Sequence, residues 1–163
     1  MGVRFLMRQR FFSFGDSFSI KDENENDVFT VEGQVFSFGD KLSFQDMGGN
    51  EIFFIKQKIT FFGNTYEIYQ NGELYGVLTK ELLTFFNCRF NIETSNYGDI
   101  EVEGDFTDHE YSFSKDGRTI ASISKQWFSW TDSYGIDIAP GENEAFILAC
   151  VVIIDMICHD KHN

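Results

Sequence analysis

With 163 residues the chain is long enough for one domain with a substantial core, and 20 phenylalanines against a single proline suit a sheet-rich globule and exclude a disordered chain. A formal net charge of −13 makes it a poor non-specific binder of nucleic acid. Three cysteines (Cys88, Cys150 and Cys158), odd in number and without metal-type spacing, read as reduced packing residues of a cytoplasmic protein.

The first twelve residues lack the apolar run and small-residue cleavage site of a signal peptide. Leu6 stands where a myristoylation signal has Ser or Thr. Val3–Phe12 reads as a strand. A repeat then begins: Ser17-Phe18-Ser19-Ile20, Lys41-Leu42-Ser43-Phe44, Thr65-Tyr66-Glu67-Ile68 and Arg89-Phe90-Asn91-Ile92 start 24 residues apart each time. Glu110-Tyr111-Ser112-Phe113 and Ser133-Tyr134-Gly135-Ile136 follow after 21 and 23 residues. Apolar residues at every second position mark half-buried strands, and fixed spacing marks an internal repeat.

Each of the first five short strands runs into turn chemistry, such as Asp22-Glu23-Asn24-Glu25-Asn26, Met47-Gly48-Gly49-Asn50 or Asn71-Gly72. A longer strand returns: Val28–Phe36, Ile52–Thr60, Leu74–Leu83, Ile100–Phe106 and Thr119–Phe128. With Tyr134–Ala139 at the end, the total is twelve strands.

The chain closes on Asn143–His159, whose middle is apolar on every side. Pro140-Gly141 breaks the preceding strand, Asn143 can cap a helix and Glu144 suits its positive end. The unbroken apolar run from Ala145 to Ile154 is too short for a membrane span, which takes about 20 residues. A segment apolar all round must still be buried. A closed sheet of about eight strands fills itself with side chains, whereas eleven leave room for an axial helix. The expected fold is therefore mainly β: a twelve-stranded closed antiparallel barrel over residues 3–139 around a central hydrophobic helix, 143–159, in one domain. Without the helix the barrel should unfold.

Phe11-Phe12-Ser13-Phe14-Gly15-Asp16, Ile20-Lys21-Asp22, Glu32-Gly33, Phe36-Ser37-Phe38-Gly39-Asp40-Lys41-Leu42, Tyr66-Glu67-Ile68, Glu103-Gly104-Asp105-Phe106, Trp127-Phe128-Ser129-Trp130 and Ile154-Asp155 together resemble the LURP-one-related (LOR) family. That family is similar to the tubby C-terminal domain and the phospholipid scramblases. The resemblance implies the same barrel and points to a lipid-related role, with no binding residue carried over.

No phosphate loop, nucleophile elbow or histidine-rich metal motif stands out, so no catalytic, cofactor or metal residues are assigned. Asp105–Glu110 is the densest group of possible acid–base residues, but Asp and Thr are ordinary at a strand joint. Asp22–Asp27 lacks the central glycine and final glutamate of a calcium loop. Arg4, Arg8 and Arg10 share one face of the first strand, and Lys56 and Lys58 lie opposite Phe53 and Ile55. These cations suit either solubility or phosphate contacts. If the hairpins run up and down, the joints gather Phe12 and Phe14, Phe36 and Phe38, Phe61 and Phe62, Phe85 and Phe86, Trp127, Phe128 and Trp130 at one end. Those rings either close the barrel or form a ligand- or membrane-touching mouth. Candidate ligand-binding residues are thus Arg8, Arg10, Lys56, Lys58, Trp127 and Trp130. Asp155 interrupts the apolar helix and needs a partner. Lys125, in phase with Ala121 and Ile123, is the structural partner expected, or else backbone amides. The functional expectation is a non-enzymatic cytoplasmic binding module for membrane lipid, peripheral to the membrane, or alternatively a scaffold recognising a protein partner.

Overall fold

The computed structural model describes residues 2–8, 17–36, 39–60, 63–83, 87–126 and 133–159. Its strands are β1 (Val3–Arg8), β2 (Ser17–Asp22), β3 (Asp27–Phe36), β4 (Gly39–Asp46), β5 (Glu51–Thr60), β6 (Gly63–Gln70), β7 (Glu73–Leu82), β8 (Cys88–Thr94), β9 (Ile100–Asp105), β10 (Glu110–Lys115), β11 (Arg118–Ser124) and β12 (Ser133–Ile138). One helix, α1 (Glu144–His159), follows. Each strand pairs with its neighbours in sequence, and β1 closes the ring against β12, with Phe5 opposite Ile136 and Met7 opposite Tyr134. All pairings are antiparallel, so the chain is a simple meander with the five hairpin tips at one end and the joints at the other.

Alternation places one set of side chains inside. Leu42, Phe44, Phe53, Ile55, Ile68, Leu78, Phe90 and Ile92 are buried, and the partners on their own strands face out. The inner set leaves an axial space that α1 fills. From Phe146 to Ile154 no residue is more than 1% exposed, so the helix is enclosed on every side, as its all-round apolarity requires. No helix among the described residues is long and apolar enough to cross a membrane.

The repeat appears again in the turns. Asp22 Oδ1 accepts from the N–H groups of Asn24 and Asn26, and Asp46 Oδ1, 24 residues later, accepts from those of Gly48 and Asn50. Asp22 spends its carboxylate on its own turn, where the sequence superficially suggested a calcium loop. Asn71-Gly72 and Asp116-Gly117 make the two-residue turns of β6–β7 and β10–β11, with Asn71 and Asp116 at φ 51° and 53°.

At the tip end, α1 is clamped. Asn143 Oδ1 accepts the Phe146 N–H at 3.1 Å, the cap expected of it. Its amide nitrogen donates to the Tyr75 hydroxyl and its backbone N–H to the Tyr97 hydroxyl, both at 3.0 Å. Tyr97 in turn donates to Glu142, which also accepts from Lys115 Nζ at 3.0 Å. Lys115 lies 3.6 Å from the centre of the Tyr97 ring. Burial alone would raise the Glu142 carboxyl, but the Tyr97 and Lys115 hydrogen bonds outweigh it and hold the group below its ordinary 4.5. A carboxyl depressed by folding adds stability that is complete above the ordinary carboxylate value and is lost as pH falls through the lower folded value. Glu142→Gln should therefore lose less thermal stability than the parent on acidification through the carboxylate range, as thermal melts across that range will show. Equal losses would mean the clamp does not titrate.

Candidate functional site

The joint end of the barrel holds a polar cluster that the apolar pattern does not announce. Asp105 and Glu110 pair at the ends of β9 and β10, and residues 106–109 make the connection. Asp108 N–H donates to Asp105 Oδ1, and His109 adopts the left-handed conformation, φ 53°. The His109 ring is fully buried and stacks on Tyr134 with centroids 4.2 Å apart and planes 13° from parallel. His109 Nδ1 is 3.4 Å from Asp155 Oδ1, and the Tyr134 hydroxyl donates to Asp155 Oδ2. The same hydroxyl lies 2.8 Å from Met7 Sδ. The buried Tyr111 hydroxyl has no hydrogen-bond partner among the described residues. Burial first, and the Asp155 charge second, push both tyrosine hydroxyls well above their usual range, so they stay protonated.

Asp155 thus has partners other than Lys125. β11 stops at Ser124, where the Ser124 hydroxyl and the Lys125 N–H both donate to Glu110 Oε1. The alternation that would have turned Lys125 inward ends one residue before it. Asp155 Oδ2 is instead satisfied from β12, while Oδ1 faces His109 of the β9–β10 joint without a hydrogen bond among the described residues. The segment Asp105–Glu110, read from sequence as an ordinary strand joint, contributes the histidine that faces the helix.

Beside this cluster opens a cleft of about 450 Å³ lined by Lys80, Asn87, Cys88, Gly104, Asp105, Phe106, Thr107, Ile157 and Cys158. Lys80 lies opposite Phe90 in the ladder and in phase with the buried Leu78, on the inner face of β7. A cation thus faces the mouth of the barrel near the C-terminus of α1, the negative end of the helix. The pattern Gly76-x-Leu78-x-Lys80 carries the signal for it.

Lys56 and Lys58 are exposed on the outer face of β5. Lys56 stands directly opposite Lys41 on β4 and opposite Glu67 on β6. Arg4, Lys21, Arg89 and Lys115 sit in ion pairs, whereas Lys56 and Lys58 have none among the described residues. Arg8 belongs to β1, which neighbours β2 and β12, so the meander keeps it apart from the lysines of β5. Arg10, Trp127 and Trp130 lie outside the described residues, as do Phe12, Phe14, Phe38, Phe61, Phe62, Phe85, Phe86, Phe128 and the Phe36 side chain. Among the described residues no group of three or more His, Cys, Asp or Glu is arranged to hold a metal ion.

Comparison with known proteins places this architecture. The sequence profile described as LURP-one-related matches residues 3–155. An uncharacterised Bacillus subtilis protein, YxjI, is 34% identical over 161 residues, covering 99% of this chain and 97% of the relative. An X-ray structure of an Arabidopsis thaliana protein superposes with a TM-score of 0.70 at 18% identity, over 94% of this chain and 89% of the other. At that identity the likeness speaks for the fold alone, a barrel around a helix.

Proposed function

This chain belongs to the LURP-one-related family, and we propose that it serves as a non-enzymatic binding module that docks on anionic phospholipid headgroups through the outer face of β4 and β5. The observation that carries the reading is the placement of Lys41 directly across from Lys56, with Lys58 on the same face, in a chain of net charge −13. Like charges directly opposite on neighbouring strands destabilise a sheet. Glu67 flanks Lys56 on the other side, and Lys56 and Lys58, both exposed and without ion pairs among the described residues, are open to a phosphate laid across this face. The histidine of the His–carboxylate pair is fully buried, which fits a structural role for that pair. The likeness to tubby and scramblase proteins supports a lipid role at the level of the superfamily.

The test is co-sedimentation of the full chain with phosphatidylglycerol-containing and pure phosphatidylcholine vesicles, at low and high salt. Binding should require the anionic lipid and fade with salt. At about 1 kcal/mol per lysine near a charged surface, Lys56→Ala with Lys58→Ala should weaken binding about 30-fold without changing the melting temperature. Binding that is equal on neutral vesicles, or unchanged in the double variant, would overturn the reading. No binding to either vesicle would favour a scaffold that recognises a protein partner.

A further inference from the structure

The cleft at the mouth of the barrel brings together two of the three thiols. Cys88 opens β8 and Cys158 lies in the last turn of α1, and both are free, half-buried and part of the cleft lining. They are far apart in sequence, so only the docking of α1 inside the barrel makes them neighbours. The Cys88 thiol and the Lys80 ammonium are both close enough to act electrostatically on Cys158. Cys150 is excluded from the pair: it is fully buried and stands about 12 Å up the helix axis from Cys158.

We propose that Cys88 and Cys158 are a reversible redox pair, closing an intramolecular disulfide across the cleft that staples the last turn of α1 to the start of β8. Lys80 is the positioning cation of that pair. Burial pushes the Cys158 thiol up to about 12 and Cys88 acts in the same direction, while Lys80 pulls it back. Cys158 is therefore held as the thiol at rest and acts second. With a low-molecular-weight disulfide RSSR as oxidant, the Cys88 thiolate attacks one sulfur, forming Cys88–S–S–R and releasing RS⁻. Cys158 then gives its proton to solvent and attacks the Cys88 sulfur beside Lys80, releasing the second RS⁻. The two protein thiols lose two electrons, and the RSSR gains them to become two RSH. The ammonium stabilises the thiolate required in the second step, so its role shows in the rate of closure.

The experiment equilibrates the folded full-length chain with oxidised glutathione, blocks remaining thiols by alkylation under acid quench, and maps non-reduced peptides by mass spectrometry. The expected product is one monomeric species with Cys88 joined to Cys158 and Cys150 alkylated only after unfolding. Its melting temperature should be raised, and the rise should be reversed by dithiothreitol. Cys150→Ser should behave as the parent, and Cys158→Ser should stop at glutathione on Cys88 with no rise in melting temperature. Lys80→Met should accumulate the same mixed disulfide transiently and close at least several-fold more slowly. A mixed disulfide on Cys88 that persists in the parent, a Cys150 cross-link, or only intermolecular dimers would each overturn the pair. Closure at the parental rate in the folded Lys80→Met variant would overturn the role of Lys80.

Discussion

Phe146→Ala is expected to lower the free energy of unfolding by about 3–5 kcal/mol, the usual range for emptying an aromatic site in a packed core. Phe146 is the residue whose N–H the Asn143 cap holds, and its ring is fully buried. It packs tilted against Tyr75 at 4.8 Å and edge-to-face against Phe53 at 5.7 Å and Tyr97 at 6.0 Å between centroids. Gly76 is what lets it in: a Cβ there would sit 3.2 Å from the ring's Cζ and as close to the Glu93 carbonyl oxygen. The site cannot collapse readily, because β7 is laddered to β6 on one side and β8 on the other. The cost should therefore fall at the upper end of the range, read as a lower midpoint in urea with an unchanged slope. A loss below about 1.5 kcal/mol would mean that the tip end closes over the gap and that the helix is not rigidly seated.

Asp155→Leu is the second large effect. The substitution keeps bulk but removes the acceptor of the Tyr134 hydroxyl and the carboxylate beside His109. The Tyr134 hydroxyl would keep only the weak thioether acceptor Met7 Sδ, and a buried hydroxyl that loses its strong acceptor costs about 1–3 kcal/mol, to which the loss at His109 adds. Replacing both members of a hydrogen bond with apolar groups costs less than replacing one. Tyr134→Phe in the Asp155→Leu background should therefore recover part of the lost stability, a coupling measured by the double-mutant cycle. Strictly additive losses would mean that the carboxylate and the hydroxyl do not act together. Lys125→Met should leave stability within about 0.5 kcal/mol of the parent, as expected of a partly exposed residue outside the cluster.

These sites show which physical signals a single sequence carries. Strands with Ile, Phe or Leu at every second position could be read directly, and so could the helix, because Phe146–Ile154 has no polar face to present to water. Twelve strands plus one such helix leave few ways to bury it. The requirement that Asp155 find a partner was also legible. The identity of that partner was not, because alternation along β11 was extended one residue past its end to Lys125. His109 was hidden for another reason. Its ring turns inward only because its backbone takes a left-handed conformation in the β9–β10 joint, and periodicity says nothing about joints. Tyr134 and Tyr111 were placed on the inner face by their phase with Ile136 and Phe113, but their hydroxyls gained meaning only once α1 was inside. The same is true of Cys88 and Cys158, which share a cleft by virtue of the tertiary fold alone.

In this protein α1 is the core of the barrel and not an appendage to it. Native-state hydrogen exchange on the full chain tests it most directly, because enclosed groups exchange only when the enclosing structure opens. The amides of Leu148 to Ile154 should exchange with the same free energy as those of Ile55, Leu78 and Phe90 in the surrounding strands, equal to the global free energy of unfolding. Helix amides that exchange with a free energy several kcal/mol below that of the strands would contradict it.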